Sequence, residues 1–240
     1  MTEPATRRTG PLSFVRRGGR MSDGQERAWR ELAPTYVFDV PRDVAETSVH
    51  PDARFVPQQE FGRVAPLVVE IGTGQGHAII HAATEHPETD FLAVEVYHGG
   101  LARTMLDADK AGLQNLRLIE ANAPEVLQTL LPEASTDEVR IFFPDPWHKK
   151  RHNKRRMISP GFGAVVGRAI RDGGLLRLAT DWEDYALQMR EVLDEEPEFE
   201  RAFDGEWDDR FAGRPMTAFE RKGLDKGRDI RDLTYRRIAR

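Results

Sequence analysis

The sequence contains no cysteine, which removes disulfides and thiolate metal sites and suits a reducing compartment. It also lacks any apolar run of membrane-spanning length. The arginine pairs Arg7-Arg8 and Arg16-Arg17 are not followed by the apolar core of a secretion signal, so a cytoplasmic chain, neither exported nor embedded, is expected. An excess of positive charge is missing as well: the formal net charge is −5, which by itself argues against a generic nucleic-acid binder. There is no internal repeat and no low-complexity tract. His77, His81, His86, His148 and His152 form no metal-ligand spacing, and no metal is expected.

What is present is an uneven distribution of charge. Positions 141–160 hold six Lys or Arg against one Asp, whereas 191–209 is dominated by acids, so the molecule is expected to be electrically polarised. A chain of 240 residues suits one large α/β domain with a core of its own. Residues 1–55 lack sustained periodicity and read as a basic, partly flexible extension with one short helix near 25–32; residues 56–240 read as the domain, with order beginning near Phe55.

Within that domain, short apolar runs at 67–71, 91–96, 116–119, 139–143 and 175–179 predict buried parallel strands. Stripes at Phe162, Val165, Val166, Ala169 and Ile170, and at Trp182, Tyr185, Ala186, Met189, Val192 and Leu193, predict helices, the first ended by Gly173-Gly174. This βαβ alternation predicts a doubly wound α/β sheet that binds its ligand across the carboxyl ends of the strands. The segments 198–203 and 233–238 are expected to pair as a terminal antiparallel hairpin across a long polar connection.

Glu70-Ile71-Gly72-Thr73-Gly74-Gln75-Gly76 directly follows the first predicted strand and opens a helix. Its spacing is G-x-G-x-G, not the G-x-G-x-x-G of dinucleotide folds, and an acid precedes it. S-adenosylmethionine has no phosphate but carries a sulfonium, an ammonium and ribose hydroxyls, which carboxylates suit. Glu70 fits that need, and Glu95, closing the second strand, stands where a carboxylate can accept ribose hydroxyls. Asn122 ends the third strand and either faces adenine with its amide or is a turn residue. A structural turn with solvated acids is the alternative for the loop as a whole.

The fourth strand runs into Phe143-Pro144-Asp145-Pro146-Trp147-His148-Lys149-Lys150-Arg151-His152-Asn153-Lys154-Arg155-Arg156. Two prolines keep Asp145 out of a helix and hold it at a strand end. Trp147 offers a face for a base, and the cations after it suit phosphates, although a run of charge is also how a solvated face reads.

This string resembles the signature of bacterial tRNA (guanine-N7)-methyltransferases, as do Ser13-Phe14-Val15-Arg16-Arg17-Gly18-Gly19-Arg20-Met21, Glu70-Ile71-Gly72, Thr217-Ala218-Phe219-Glu220-Arg221 and Asp232-Leu233. The resemblance spans nearly the whole chain. It implies a class I S-adenosylmethionine-dependent methyltransferase fold, a mostly parallel seven-stranded sheet. It places Glu70, Gly72, Gly74, Glu95, Asn122 and Asp145 around S-adenosylmethionine, with Asp145 as the active-site residue. Lys149, Asp181, Thr217, Phe219 and Glu220 are implied to contact substrate, and Arg151, His152, Asn153, Lys154, Arg155 and Arg156 to meet tRNA. Read without it, Asp181 and Thr217 are equally plain helix caps. Two positions depart from the family pattern: Ala218 replaces an expected Lys, and Asn122 stands where Asp is common. The implied reaction is methyl transfer to the variable-loop guanine, guanine-46, of tRNA, by a monomer or homodimer. Guanine N7 has an in-plane lone pair and needs no deprotonation, so Asp145 is expected to position and offset charge. The alternatives are an exocyclic-amine N-methyltransferase, because Asp145-Pro146-Trp147 is similar to the Asp/Asn-Pro-Pro-aromatic motif, and a non-catalytic RNA-binding relative.

Overall fold

A computed structural model of the chain describes residues 21–239. Residues 1–20, with both arginine pairs and positions 13–20 of the matched motif, lie outside the described residues. Seven strands form one sheet: β1 (Leu67–Ile71), β2 (Asp90–Glu95), β3 (Leu116–Glu120), β4 (Thr136–Phe142), β5 (Ile170–Thr180), β6 (Phe199–Arg201) and β7 (Arg231–Arg237). Their order is β3-β2-β1-β4-β5-β7-β6. The first five are parallel, and β7 runs antiparallel between β5 and β6. The helices are α1 (Asp23–Tyr36), α2 (Pro57–Phe61), α3 (His77–Glu85), α4 (His98–Lys110), α5 (Ala123–Glu125), α6 (Phe162–Ala169), α7 (Glu183–Asp194) and α8 (Ala218–Leu224). None of these is long and apolar enough to cross a membrane.

Strand alternation divides the core into two layers. Val68, Phe91, Ala93, Leu116 and Leu118 meet Ile79, Ala82 and Ala83 of α3 and Leu101 and Met105 of α4 on one face. Val69, Ile71, Leu92, Val94 and Ile119 lie on the other, with Phe162 and Val166 of α6 and Tyr185, Met189 and Leu193 of α7. The chain steps outward from β1 to β3 and returns to β4, so the crevice between β1 and β4 is the point where strand order reverses, the ligand position of such sheets. Glu70 is level with Arg140 and Ile71 with Ile141, which brings the glycine loop and the Asp145 segment out of the sheet side by side.

Two expectations are corrected. The folded core reaches back well before Phe55: α1 is capped by a reciprocal Ser22–Gln25 box, and Tyr36, Val40, Val49 and Ala53 are buried along with Phe55. Full burial of a large apolar side chain stabilises by about 1.5–3 kcal/mol, so this segment belongs to the folded unit. The irregular spacing of its apolar residues hid it, because beyond Tyr36 at the end of α1 the buried positions Val40, Val49, Ala53 and Phe55 anchor loop, not helix or strand. Second, α6 stops at Ala169; Ile170 already pairs with Thr136 as part of β5, and the Gly173-Gly174 pair lies inside that strand, where its register against β4 shifts. Gly173 has φ +76°, and a Cβ on Gly174 would lie 2.8 Å from the Asp137 carbonyl, so the glycines accommodate a bulge and do not end a helix. The expected antiparallel pairing of the last two strands is present as β6 and β7, but the connection between them contains α8.

Candidate active site

The glycine loop leaves β1 through three left-handed glycines, Gly72 (φ +74°), Gly74 (φ +58°) and Gly76 (φ +80°). Glu95 fixes the loop from the neighbouring strand: one carboxylate oxygen accepts the Gly74 N–H (2.8 Å) and the other accepts those of Val96 (2.6 Å) and Tyr97 (2.9 Å). Gly100, which sequence reasoning missed, makes the packing possible. A Cβ there would sit 2.1 Å from the Gly74 carbonyl oxygen, so α4 can approach the loop only through a bare backbone. The Gly99-Gly100 pair inside a helical segment was the available signal.

Glu70 is buried, and its Oε2 has no hydrogen-bond partner. Burial pushes its pKa up to about 7, against the opposing pull of Arg140 and Arg214. Both guanidiniums are already neutralised, Arg140 by Glu138 (2.5 Å) and Arg214 by Asp232 (2.5 Å) and Glu220 (3.3 Å). Thr73 Oγ1 is likewise buried without a partner. At the end of β3, Asn122 donates its amide to Glu125 Oε1 (3.0 Å), while Glu125 Oε2 accepts the Val49 N–H (2.8 Å). The side chain is therefore held by the segment that precedes the sheet.

Beyond β4, Asp145 is exposed between two non-glycine residues in left-handed conformation, Phe143 (φ +54°) and Trp147 (φ +46°). Such backbone costs about 1–3 kcal/mol per residue and persists only where surrounding contacts fix it. Arg214 lies over the rings of Phe142 (5.0 Å) and Phe143 (5.4 Å) on one side. On the other, Arg156 Nε donates to the Pro146 carbonyl (2.8 Å). His148 packs 5.8 Å from Trp182 and so links this turn to the end of β5, where Asp181 accepts a hydrogen bond from Arg228 (2.7 Å). Asp181 does not cap α7, whose N-cap is Trp182.

The basic run folds as a 3-10 turn, Lys150–Arg155. Lys149, Lys150, Arg151 and Lys154 are exposed. Arg155 lies over the Trp147 ring (5.0 Å), and His152 meets the same ring edge-on (5.9 Å). Desolvation, together with Arg155, Arg151, Lys149 and His148, lowers the His152 pKa and so favours the neutral imidazole. With its amide nitrogen turned inward, Asn153 donates to the carbonyls of Trp147 (3.0 Å) and Lys149 (3.3 Å), bracing the turn. Arg156 is a correction to the expected RNA edge: its side chain is 1% exposed, directed into the protein against α7, and cannot meet a phosphate there.

The C-terminal stretch also divides. Thr217 caps α8, accepting the Glu220 N–H (3.1 Å). Phe219 is exposed and comes to 4.0 Å from where a Cβ of Gly74 would be, so α8 hangs over the glycine loop. Ala218 is exposed beside it. Glu220, expected at the substrate, is buried, and both of its oxygens accept from Arg210 and Arg214, so it fastens α8. Burial opposes its charge, but the hydrogen bonds from the two arginines prevail and hold its pKa below the ordinary value. Nothing local in the sequence distinguishes a buried Arg or Glu with partners from an exposed one.

Residues 64–233 match the family described as "Putative methyltransferase". The curated tRNA (guanine-N(7)-)-methyltransferase of Paenarthrobacter aurescens is 45% identical, with 95% of this chain and 91% of that one covered. That of Cutibacterium acnes is 48% identical over 96% and 84%, and that of Halorhodospira halophila 43% over 98% and 97%. Among solved structures, the 16S rRNA methyltransferase KamB matches with a TM-score of 0.54 at 16% identity, covering 96% of this chain and all of that one. The [4+2]-cyclase SpnF matches with 0.52 at 14%, covering 73% and 76%, a reminder that at such identity the fold alone is shared. With the class I fold, the G-x-G-x-G loop and the Asp145 turn all in place, and near-complete coverage of relatives at 43–48% identity, the chain belongs to the tRNA (guanine-N7)-methyltransferase family.

Proposed function

We propose that this chain transfers a methyl group from S-adenosylmethionine to N7 of the variable-loop guanine, guanine-46, of tRNA. The observation that carries the reading is the meeting, at the β1/β4 reversal, of a glycine loop holding an unpartnered buried carboxylate with an exposed Asp145 turn that continues into a cationic strip. The residues fit the cofactor: Glu70 and Thr73 have buried oxygens without partners, and neither Gly72 nor Gly74 carries a side chain to obstruct a ligand. Glu70, Gly72, Gly74, Glu95, Asn122 and Asp145 would hold it. When bound, S-adenosylmethionine supplies an electrophilic methyl group on a positively charged sulfonium.

The chain's own contribution is orientation and charge. Asp145, at the mouth of the crevice, offsets the positive charge that the purine gains as N7 is alkylated, and no side chain has to remove a proton. Phe219 over the glycine loop would give the base a surface to stack on, and Lys149, Asp181 and Thr217 would contact the substrate. Arg151, Lys154 and Arg155 meet backbone phosphates. The deciding experiment compares methyl transfer from labelled cofactor to unmodified tRNA and to the same tRNA carrying 7-deazaguanine at the variable-loop position. Labelling of the first only is expected; equal labelling would remove the N7 assignment.

Glu70 adds a pH dependence. Its folded-state pKa lies above the ordinary carboxylate value, so in the free protein its contribution to stability declines as pH rises from that value through about 7. A cationic ligand beside it favours the ionised form and lowers that pKa again. Affinity for S-adenosylhomocysteine, which keeps the ammonium, is therefore expected to rise between about pH 6 and pH 8, with proton release visible as buffer-dependent binding heat. Glu70→Gln should flatten the profile. A flat profile in the unaltered protein would exclude Glu70 from the cofactor's cationic group.

A further inference from the structure

The structure assigns Arg156 as a positioning residue for the turn that carries Asp145, distinct from the RNA-gripping cations that precede it in the same run. The assignment rests on the proposed role of Asp145. All three nitrogens of the Arg156 guanidinium donate inward. Nε donates to the Pro146 carbonyl (2.8 Å), Nη1 to Gln188 Oε1 (2.8 Å) and Nη2 to Asp184 Oδ2 (2.5 Å), and the group lies 4.8 Å over the Tyr185 ring. Gln188, Asp184 and Tyr185 all belong to α7, the helix that begins two residues after Asp181.

The same helix grips the backbone just beyond Arg156. Gln188 Nε2 donates to the Ile158 carbonyl (2.7 Å), and the Tyr185 hydroxyl accepts the Ile158 N–H (3.1 Å). Pro146 sits between exposed Asp145 and Trp147, whose φ is +46°. A guanidinium fork is a rigid donor set of fixed reach, so one buried side chain sets the distance between the Pro146 carbonyl and α7. Through that distance it sets the placement of Asp145 relative to Asp181 at the end of β5. A lysine retains the charge and the reach to one acceptor, but cannot hold Pro146, Gln188 and Asp184 together.

The test compares Arg156→Lys and Arg156→Ala with the double substitution Arg151→Ala/Lys154→Ala, using full-length protein and unmodified tRNA. For Arg156→Lys, single-turnover methyl transfer at saturating tRNA is expected to fall about 30- to 100-fold, within the loss that misplacing a reacting group by about 1 Å brings. The tRNA Kd and the slope of its salt dependence should stay within twofold of the parent. The double substitution should instead weaken tRNA binding and flatten the slope by about two phosphate contacts. Arg156→Ala leaves room for a guanidinium ion, and added guanidinium is expected to restore part of the rate without altering tRNA affinity, a rescue that loss of an RNA contact would not show. Should Arg156→Ala fail to fold, Arg156→Lys decides alone. A weakened Kd with a shallower salt slope and an unchanged saturated rate in Arg156→Lys would overturn the assignment and make Arg156 an RNA contact. An Asp145→Asn enzyme that retains full activity would instead remove the Asp145 reading; in that event unchanged affinity and salt slope in Arg156→Lys still separate Arg156 from the RNA edge.

Discussion

Asp145→Asn is expected to lower the saturated rate of methyl transfer by about 10²–10³-fold, while leaving the thermal midpoint and tRNA affinity close to those of the parent. The substitution keeps the side chain's shape and removes its charge, so it separates charge compensation from packing. Asp145 is exposed, and no hydrogen bond of the described residues depends on its side chain, which is why little stability should be lost. In contrast, the turn beneath it is fixed by buried contacts from Arg214 and Arg156, so the loss in rate reports chemistry and not collapse of the loop. Single-turnover methylation at saturating tRNA, alongside thermal unfolding, gives both quantities. Parent-like rates would show that the carboxylate lies outside the reacting centre.

Arg214→Leu should produce the largest loss of stability. Arg214 is fully buried, donates to Asp232 at 2.5 and 2.9 Å, and shares the Glu220 carboxylate with Arg210. Removing it leaves Glu220 and Asp232 buried with Arg210 as the remaining cation, and breaking a buried pair in this way costs about 3–5 kcal/mol. In a domain of this size that is a fall in Tm of roughly 6–20 °C. Glu220→Gln, which keeps the side chain's shape and one accepting oxygen and leaves the Arg214–Asp232 pair intact, should cost less. Thermal unfolding of both variants checks the order, and a smaller effect for Arg214→Leu than for Glu220→Gln would contradict the network drawn here.

The parts of the fold that the sequence revealed are those in which local pattern and tertiary environment coincide. The run Leu67–Ile71 is apolar enough to read as a strand buried on both faces and is one, although Glu70 lies within it. Ile170 shows the limit: it continues the apolar stripe of α6 and equally suits the first position of β5, and only pairing with Thr136 decides. The glycine loop was legible because glycine and acid spacing encode backbone geometry directly. The cationic strip was legible only as charge. Arg155 and Arg156 are adjacent and chemically identical, yet one lies over Trp147 near the surface and the other reaches α7, and the difference is made by Asp184 and Gln188, which are distant in sequence. The burial of Glu220 was hidden for the same reason, since Arg210 and Arg214 determine where its oxygens point.

The place of β7 has a consequence for synthesis on the ribosome. It follows every other strand in chain order, yet lies between β5 and β6. While residues 231–237 are still within the exit tunnel, β5 presents an open edge and the three-residue β6 has no partner on which to form. Asp232, which Arg214 requires, is also absent until then. The emerging chain can therefore lay down the β3-β2-β1-β4-β5 platform early, but the clamp over Phe143 closes only when the last strand has slotted in. An interrupted or shortened translation product would carry a glycine loop and an Asp145 segment without a settled geometry between them, and an exposed sheet edge prone to pairing with other chains.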